Sequence, residues 1–172
     1  MLAIDQKKSV QQVDVKQVQQ ILKTNPLADG SEGDMILDND SKFAKMTGDW
    51  KRENRGSYGP SMFIDDSKGN PYKSVQFIPS INKPGKYHVY VYLPKMANAS
   101  SKTAVTIFDG GNKTERFIES GTLKVEGQTS GEWIDLGAYN FKKDRKSYVE
   151  ISNKNADGVV VADAVLLVPE TK

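Results

Sequence analysis

The clearest hydrophobic pattern in the chain lies between Pro84 and Pro94, where side chains of two kinds alternate. One set of alternating positions holds Tyr87, Val89, Val91 and Leu93, and the other holds His88, Tyr90 and Tyr92. Successive side chains of a strand point to opposite faces of a sheet, and β-branched and aromatic residues favour strands. The pattern predicts a strand over residues 86–93 whose first set faces a core. The second set is too aromatic for an ordinary solvated surface, so we expect it to be covered or to bind a ligand.

Short apolar runs separated by turn residues extend over most of the chain, without the helical patterns of a βαβ unit. They predict strands at 35–37, 43–46, 61–64, 74–79, 86–93, 103–109, 114–119, 132–136, 138–142, 147–152 and 159–168. Asp109-Gly110-Gly111 is a hairpin signal, because these residues tolerate the positive φ of tight turns. The pattern therefore predicts an all-β fold, an antiparallel β-sandwich.

Two segments of this domain depart from simple alternation. Residues 159–168 are apolar except for Asp163, which predicts a strand buried on both sides. We expect the Asp163 carboxylate to accept backbone or hydroxyl hydrogen bonds, since an unpaired buried charge is costly. Residues 120–131 read as a loop in which Leu123 and Val125 could add a small strand. This loop is either a rim of a ligand site or a tolerated surface insertion.

The first 34 residues follow a different pattern. Asp14 is a good N-cap, and Val15, Val18, Ile21 and Leu22 form one apolar stripe, which predicts a helix over residues 15–23. Asn25-Pro26 ends it and a linker follows. The helix either tethers a preceding domain or plugs an open end of the sandwich. We divide the chain into residues 1–34, a β-domain at 35–169 and a tail at 170–172.

Composition excludes several classes of protein. The 172 residues carry 24 Lys and Arg against 22 Asp and Glu, and the interspersed signs give no support to nucleic-acid binding. The absence of Cys excludes disulfides and thiolate chemistry. No apolar run approaches the ~18 residues of a membrane span, so no membrane partner is expected. Residues 1–9 lack the apolar core of a secretory signal, and the chain reads as a module of something longer.

Aromatic side chains are the main candidates for a binding site, because sugar-binding modules stack rings on pyranoses. Tyr90 and Tyr92 share a strand face, and loop-rich sequence adds Trp50, Tyr58 and Tyr72. Candidate polar partners are Arg52, Arg55, Asp65, Asp66 and Asn70. The alternative is that these rings lie in the core or under a cover, for which the stripe of the helix at 15–23 is a candidate.

Metal binding and catalysis are both disfavoured. Acidic clusters at 38–40 and 65–70 offer oxygen ligands for Ca²⁺, but neither matches an EF-hand loop and turn chemistry explains both. His88 is the only His, and although it neighbours Tyr90 and Tyr92 as in a polysaccharide lyase, no second motif converges on it. We therefore expect neither a metal site nor a catalytic centre.

Several spaced fragments together resemble a known family. They are Leu37-Asp38-Asn39-Asp40, Thr47-Gly48-Asp49-Trp50, Tyr58-Gly59, Phe77-Ile78-Pro79, the strand at 84–94, Gly131-Glu132-Trp133-Ile134-Asp135-Leu136-Gly137 and Val161-Ala162-Asp163-Ala164-Val165. Residues 35–169 are similar in this order to the golvesin and xanthan-lyase carbohydrate-binding-like domain. The resemblance implies a jelly-roll-like sandwich that serves as a C-terminal accessory module of larger bacterial proteins. It also implies structural roles for Gly48, Trp50, Trp133, Gly137 and Asp163.

The resemblance shapes the functional hypotheses. It implies a non-catalytic module of a secreted or periplasmic enzyme, with a glycan as candidate ligand of Tyr90, Tyr92, Trp50, Tyr58 and Arg55. A second hypothesis is a structural module that docks a neighbouring catalytic domain, and a third is a polysaccharide lyase. Residues 25–30 resemble the connecting segment of FAD-dependent oxidoreductases labelled xanthan lyase. No flavin-binding Gly-x-Gly-x-x-Gly occurs, so no cofactor is expected in this chain.

Overall fold

The computed structural model describes residues 33–54, 57–122 and 131–170. These residues form strands β1 (Met35–Asp38), β2 (Ala44–Thr47), β3 (Lys51–Glu53), β4 (Met62–Asp65), β5 (Ser74–Phe77), β6 (Gly85–Pro94), β7 (Lys102–Phe108), β8 (Lys113–Glu119), β9 (Gly131–Phe141), β10 (Tyr148–Ser152), β11 (Val160–Ala162) and β12 (Ala164–Pro169). One turn of 3-10 helix, Ser120–Thr122, follows β8. The helix predicted at 15–23, Arg55 and the strand suggested around Leu123 and Val125 lie outside the described residues.

The strands form three sheets in which every described strand pairing is antiparallel. One sheet has the order β1-β12-β6-β9, a second has β2-β5-β10-β7-β8, and a third has β11-β4-β3. The predicted hairpin is present as β7 and β8, with Phe108 opposite Lys113 at the turn. The all-β antiparallel prediction is confirmed for the described residues. No helix in this part of the chain has the length and apolar character needed to cross a membrane.

The core contains the predicted face of β6. Tyr87, Val89, Val91 and Leu93 are between 0% and 4% exposed and belong to the main hydrophobic core. The core also receives fully buried side chains from β12, β10 and β5, which are Val165, Leu167, Val149, Ile151, Val75 and Phe77. Alternation along β6 therefore identified the inward face correctly.

Two strand predictions were wrong in detail because of single residues. The continuous strand predicted at 159–168 is interrupted at Asp163, where β11 joins β4 and β12 joins β1 and β6. The two strands predicted at 132–142 are the single strand β9, which passes through Gly137 at φ +94°. The pairing with β6 shifts register here, since His88 lies opposite Ala138 but Tyr90 lies opposite Asp135, and glycine accepts the backbone conformation of this irregularity.

Strand β3 had no sequence signal, because Lys51, Arg52 and Glu53 carry no apolar alternation. The strand exists through pairing with β4, where Lys51 lies opposite Ile64 and Glu53 opposite Met62. It therefore extends the third sheet at its edge. The segment that follows it leads to Tyr58.

Candidate functional site

The register of two neighbouring strands brings the first pair of aromatic rings together. Tyr92 on β6 lies opposite Trp133 on β9. Directly opposed side chains on adjacent strands are close enough to pack against each other. The two ring centroids are 5.3 Å apart with an edge-to-face geometry. Tyr92 is 8% exposed and Trp133 is half-buried, so this pair forms a supported apolar base.

A third ring packs onto this base from the segment between β3 and β4. The centroid of Tyr58 lies 5.5 Å from that of Tyr92 and 5.2 Å from that of Trp133. Such tilted and edge-to-face contacts are the favourable arrangements for aromatic pairs. Tyr58 is 39% exposed, so it is the ring that the group presents to solvent. We call Tyr58, Tyr92 and Trp133 the aromatic cluster.

Asp163 holds the segment that carries Tyr58. Its Oδ2 accepts a hydrogen bond from the backbone N–H of Tyr58 at 2.8 Å, and its carbonyl accepts one from the N–H of Asn39 at 2.8 Å. The prediction that this carboxylate accepts backbone hydrogen bonds is confirmed. Gly59 then packs directly on Asp38, where a Cβ would collide with Oδ2 of that carboxylate. A larger residue at position 59 would therefore displace the Asp38 carboxylate.

Two carboxyl groups near Tyr58, those of Asp163 and Asp38, have raised pKa values. The pKa of Asp163 is raised to about 7, mainly by burial and also by the charges of Asp38 and Asp40, while the hydrogen bond from the Tyr58 N–H acts in the lowering direction. Burial also raises the pKa of Asp38. The pKa of the Tyr58 phenol is raised, first by burial and then by the negative charges of Asp38 and Asp163. The Tyr58 hydroxyl therefore stays protonated and can serve as a hydrogen-bond donor at neutral pH.

The predicted binding residues divide into three groups. Tyr58 and Tyr92 meet in the aromatic cluster, and Arg55 lies outside the described residues. Tyr90 is half-buried and stacks on His88, with ring centroids 6.4 Å apart. Trp50 packs against the main core and its indole N–H donates to the Thr47 carbonyl at 3.2 Å. Among the described residues, neither Trp50 nor Tyr90 has a ring contact with the cluster.

Asp65 and Asp66, two of the predicted polar partners, have structural contacts of their own. The buried Asp65 carboxylate accepts hydrogen bonds from Lys73 at 2.6 Å and from Ser67 at 2.7 Å. Burial opposes ionisation of Asp65, but the contacts with Lys73, Asn153 and Ser67 lower its pKa overall. Asp66 pairs with Lys51 at 2.9 Å. Within the described residues, no group of three or more His, Cys, Asp or Glu side chains could hold a metal ion.

Among the described residues, no carboxylate lies within hydrogen-bond distance of His88. Its Nδ1 lies 3.9 Å from Asp135 Oδ2 and its Nε2 lies 3.6 Å from Glu170 Oε1. Both distances exceed those of hydrogen bonds, so neither carboxylate holds the ring in one tautomer. The half-buried position is the ordinary structural one that the sequence favours for a lone His in mid-strand.

Comparison with known proteins identifies relatives of the chain and the family to which it belongs. It is 31% identical over 78% of its length to the xanthan lyase of Bacillus sp. (strain GL1), of which it covers 14%. The structure of a Paenibacillus xanthan lyase matches 84% of this chain and 14% of that one, at 27% identity and a TM-score of 0.71.

The fold is also similar to an isolated binding module. A family 35 carbohydrate binding module from Clostridium thermocellum matches 78% of this chain and 98% of that module. The TM-score is 0.51 at 12% identity, which shows a shared fold of the β-sandwich type. The chain therefore spans a small part of the lyases but nearly the whole of a binding module. The family model of the golvesin C-terminal domain matches residues 35–169, and the chain belongs to that family.

Proposed function

We propose that this chain is a non-catalytic accessory module of a larger bacterial enzyme and that it binds carbohydrate through the aromatic cluster. The observation that carries the proposal is the position of Tyr58, which is 39% exposed above two supporting rings. A ring held in this way loses little conformational freedom on binding. Its face can stack on the apolar face of a pyranose while its hydroxyl donates to a sugar oxygen.

The relatives support an accessory role. The matched region is 14% of each xanthan lyase, and a protein of nearly the same extent as this domain is a carbohydrate binding module. Enzymes that act on bacterial polysaccharides meet them outside the cytoplasm. We therefore also propose that the parent protein is secreted or periplasmic, which fractionation of the producing cells would test.

Titration calorimetry of the purified chain against a panel of plant and bacterial polysaccharides tests the binding clause. We expect Tyr58→Ala to weaken binding about tenfold, because one aromatic contact is worth roughly 0.5–1.5 kcal/mol beyond the area it buries. Tyr58→Phe keeps the ring and is expected to retain most of the affinity.

Tyr72→Ala is the matched control for this experiment. Tyr72 is 51% exposed and its hydroxyl donates to Glu150 on the five-stranded sheet, away from the aromatic cluster. The proposal expects unchanged affinity in this variant. Equal binding by wild type and Tyr58→Ala would remove the aromatic cluster from consideration.

The second candidate function is a docking module that binds no glycan. It is favoured by Phe117, which is 46% exposed on the edge strand β8 and lines a groove together with Ile118, Ile134 and Leu136. Exposed large apolar side chains can mark a surface that contacts another domain. A negative result across the whole polysaccharide panel, together with binding to a catalytic domain of the parent protein, would favour this function.

A further inference from the structure

A groove lies where three strands of the five-stranded sheet begin or end. It has a volume of about 480 Å³ and is lined by Lys42, Phe43, Ile78, Pro79, Ser80 and Arg145. The register explains why these distant residues meet, because Phe77 lies opposite both Ala44 and Val149. Phe43 precedes β2, Ile78 follows β5, and the segment with Arg145 leads into β10. The Ile78 N–H donates to the Phe43 carbonyl at 2.9 Å and fixes two of the walls.

The groove has an apolar surface that solvent can reach. The Phe43 side chain is 37% exposed, so part of its ring is accessible to a ligand. Ile78 and Pro79 adjoin it. Pockets of roughly 300–1,000 Å³ with an aromatic wall and a few polar groups are typical of small-ligand sites. This groove, although open, has the size and lining for one or two sugar rings.

The charged side chains of the groove are all positive. The Lys42 ammonium lies 5.3 Å from the centroid of the Phe43 ring, and Arg145 forms part of the lining. No Asp or Glu lines it. Neither cation forms an ion pair with any residue that the structure describes. Both are therefore available to pair with a carboxylate of a ligand.

The segment before β10 adds further positive charge. Residues 142–146 are Lys-Lys-Asp-Arg-Lys. The carboxylate of Asp144 is engaged within its own turn, where Oδ1 accepts hydrogen bonds from the N–H groups of Lys146 and Ser147 at 3.1 Å. The sequence as a whole intersperses its charges, but the fold places Arg145 of this segment in the same groove as Lys42. The resulting field favours anions.

We propose that this groove binds an acidic saccharide, with a uronate carboxylate paired to Lys42 and Arg145 and the sugar ring stacked on Phe43. A nucleic acid would need a row of cations along its backbone and successive stacking rings, whereas the groove has one ring and two lining cations. The site shares no residue with the aromatic cluster. Variants of the groove and variants of the aromatic cluster therefore test the two proposals separately.

The test is a two-dimensional amide NMR titration of the full chain with an α-1,4-linked galacturonate tetrasaccharide. We expect shifts at Lys42, Phe43, Ile78 and Arg145. Lys42→Ala and Arg145→Ala should each weaken binding about tenfold, because each removes one charge-assisted contact. Phe43→Ala should weaken it by a similar factor through loss of stacking. The amide spectra themselves show whether each variant is folded.

Two controls make the result decisive. Lys95→Ala removes an exposed lysine that follows Pro94, at the opposite end of β6 from the groove segment, and is expected to leave affinity unchanged. The carboxyl-reduced tetrasaccharide is expected to bind at least tenfold more weakly than the uronate. The proposal is overturned by absence of shifts in the groove, by equal binding of the reduced sugar, or by equal affinity for a single-stranded oligonucleotide.

Discussion

At the scale of single residues, Asp163 links the break between β11 and β12 to the position of Tyr58. It is 0% exposed, and its Oδ1 has no hydrogen-bond partner among the described residues. A buried oxygen without a donor disfavours the ionised form. The pKa is accordingly raised from 3.8 to about 7, with burial as the largest cause.

A raised folded-state pKa makes Asp163 a source of pH-dependent stability. The folded protein holds this proton more tightly than the unfolded chain, so its stabilising effect is complete below about pH 4 and is lost as the pH rises through about 7. We expect the free energy of unfolding to fall by about 2–4 kcal/mol across this window, since one pKa unit corresponds to 1.36 kcal/mol. Urea denaturation at about pH 4.5 and about pH 8 measures the difference.

Asp163→Asn supplies the control for this prediction. The amide is neutral at both pH values, and its carbonyl oxygen can still accept from the Tyr58 N–H. We expect the variant to show little change in stability over the same window. Below pH 4 both proteins should lose stability, because Asp157 has a pKa lowered to about 2 by hydrogen bonds from Ser101 and Ser100. An identical pH profile in wild type and variant would contradict the role of Asp163.

At the scale of elements, the strands with strong local patterns were predictable. Strand β6 was expected at 86–93 and spans Gly85–Pro94, and the turn after Phe108 joins β7 to β8 as the Asp-Gly signal indicated. Hydrophobic alternation and turn residues are local signals that span a few positions, so they can be recognised in the sequence. Strand β3 and the break at Asp163 depend on partners far along the chain, and no local signal encodes them. The jelly-roll topology and the helix at 15–23 remain predictions.

Asn153 ties the loop between β4 and β5 to the end of β10. It is 0% exposed, its amide donates to Asp65 Oδ2 at 2.9 Å and to the Pro71 carbonyl at 2.9 Å, and its Oδ1 accepts from the Lys73 N–H at 2.8 Å. We expect Asn153→Ala to destabilise the fold by about 2–4 kcal/mol, because it leaves buried polar groups unsatisfied. Urea denaturation measures this loss.

The matched control for Asn153 is Asn140, an exposed residue on β9. Asn140→Ala should change the free energy of unfolding by less than about 0.5 kcal/mol, as most surface substitutions do. Similar small effects for both variants would show that the hydrogen bonds of Asn153 contribute little. A loss of stability in Asn153→Ala but not in Asn140→Ala would show that the Asn153 side chain anchors the loop.

At the scale of the whole molecule, the candidate site was only partly predictable. Tyr92 and Tyr58 were recognisable as aromatic candidates, but nothing local indicates that they meet. The resemblance implies a structural role for Trp133, whereas in the structure it is also the third ring of the aromatic cluster. Its alternation within β9 could have placed it on one sheet face, but the pairing of β9 with β6 is a long-range property. The cationic groove depends on long-range pairing in the same way.

The last prediction tests the hypothesis that the chain is a polysaccharide lyase. We expect the purified chain to release no unsaturated, ultraviolet-absorbing product from xanthan. The chain covers 14% of the lyase of Bacillus sp. (strain GL1), and its single His has no carboxylate within hydrogen-bond distance among the described residues. A general base needs a partner that fixes its orientation. The full-length lyase in the same assay is the positive control. Product from the wild-type chain that disappears in His88→Ala would contradict a non-catalytic role and place a reaction centre on β6.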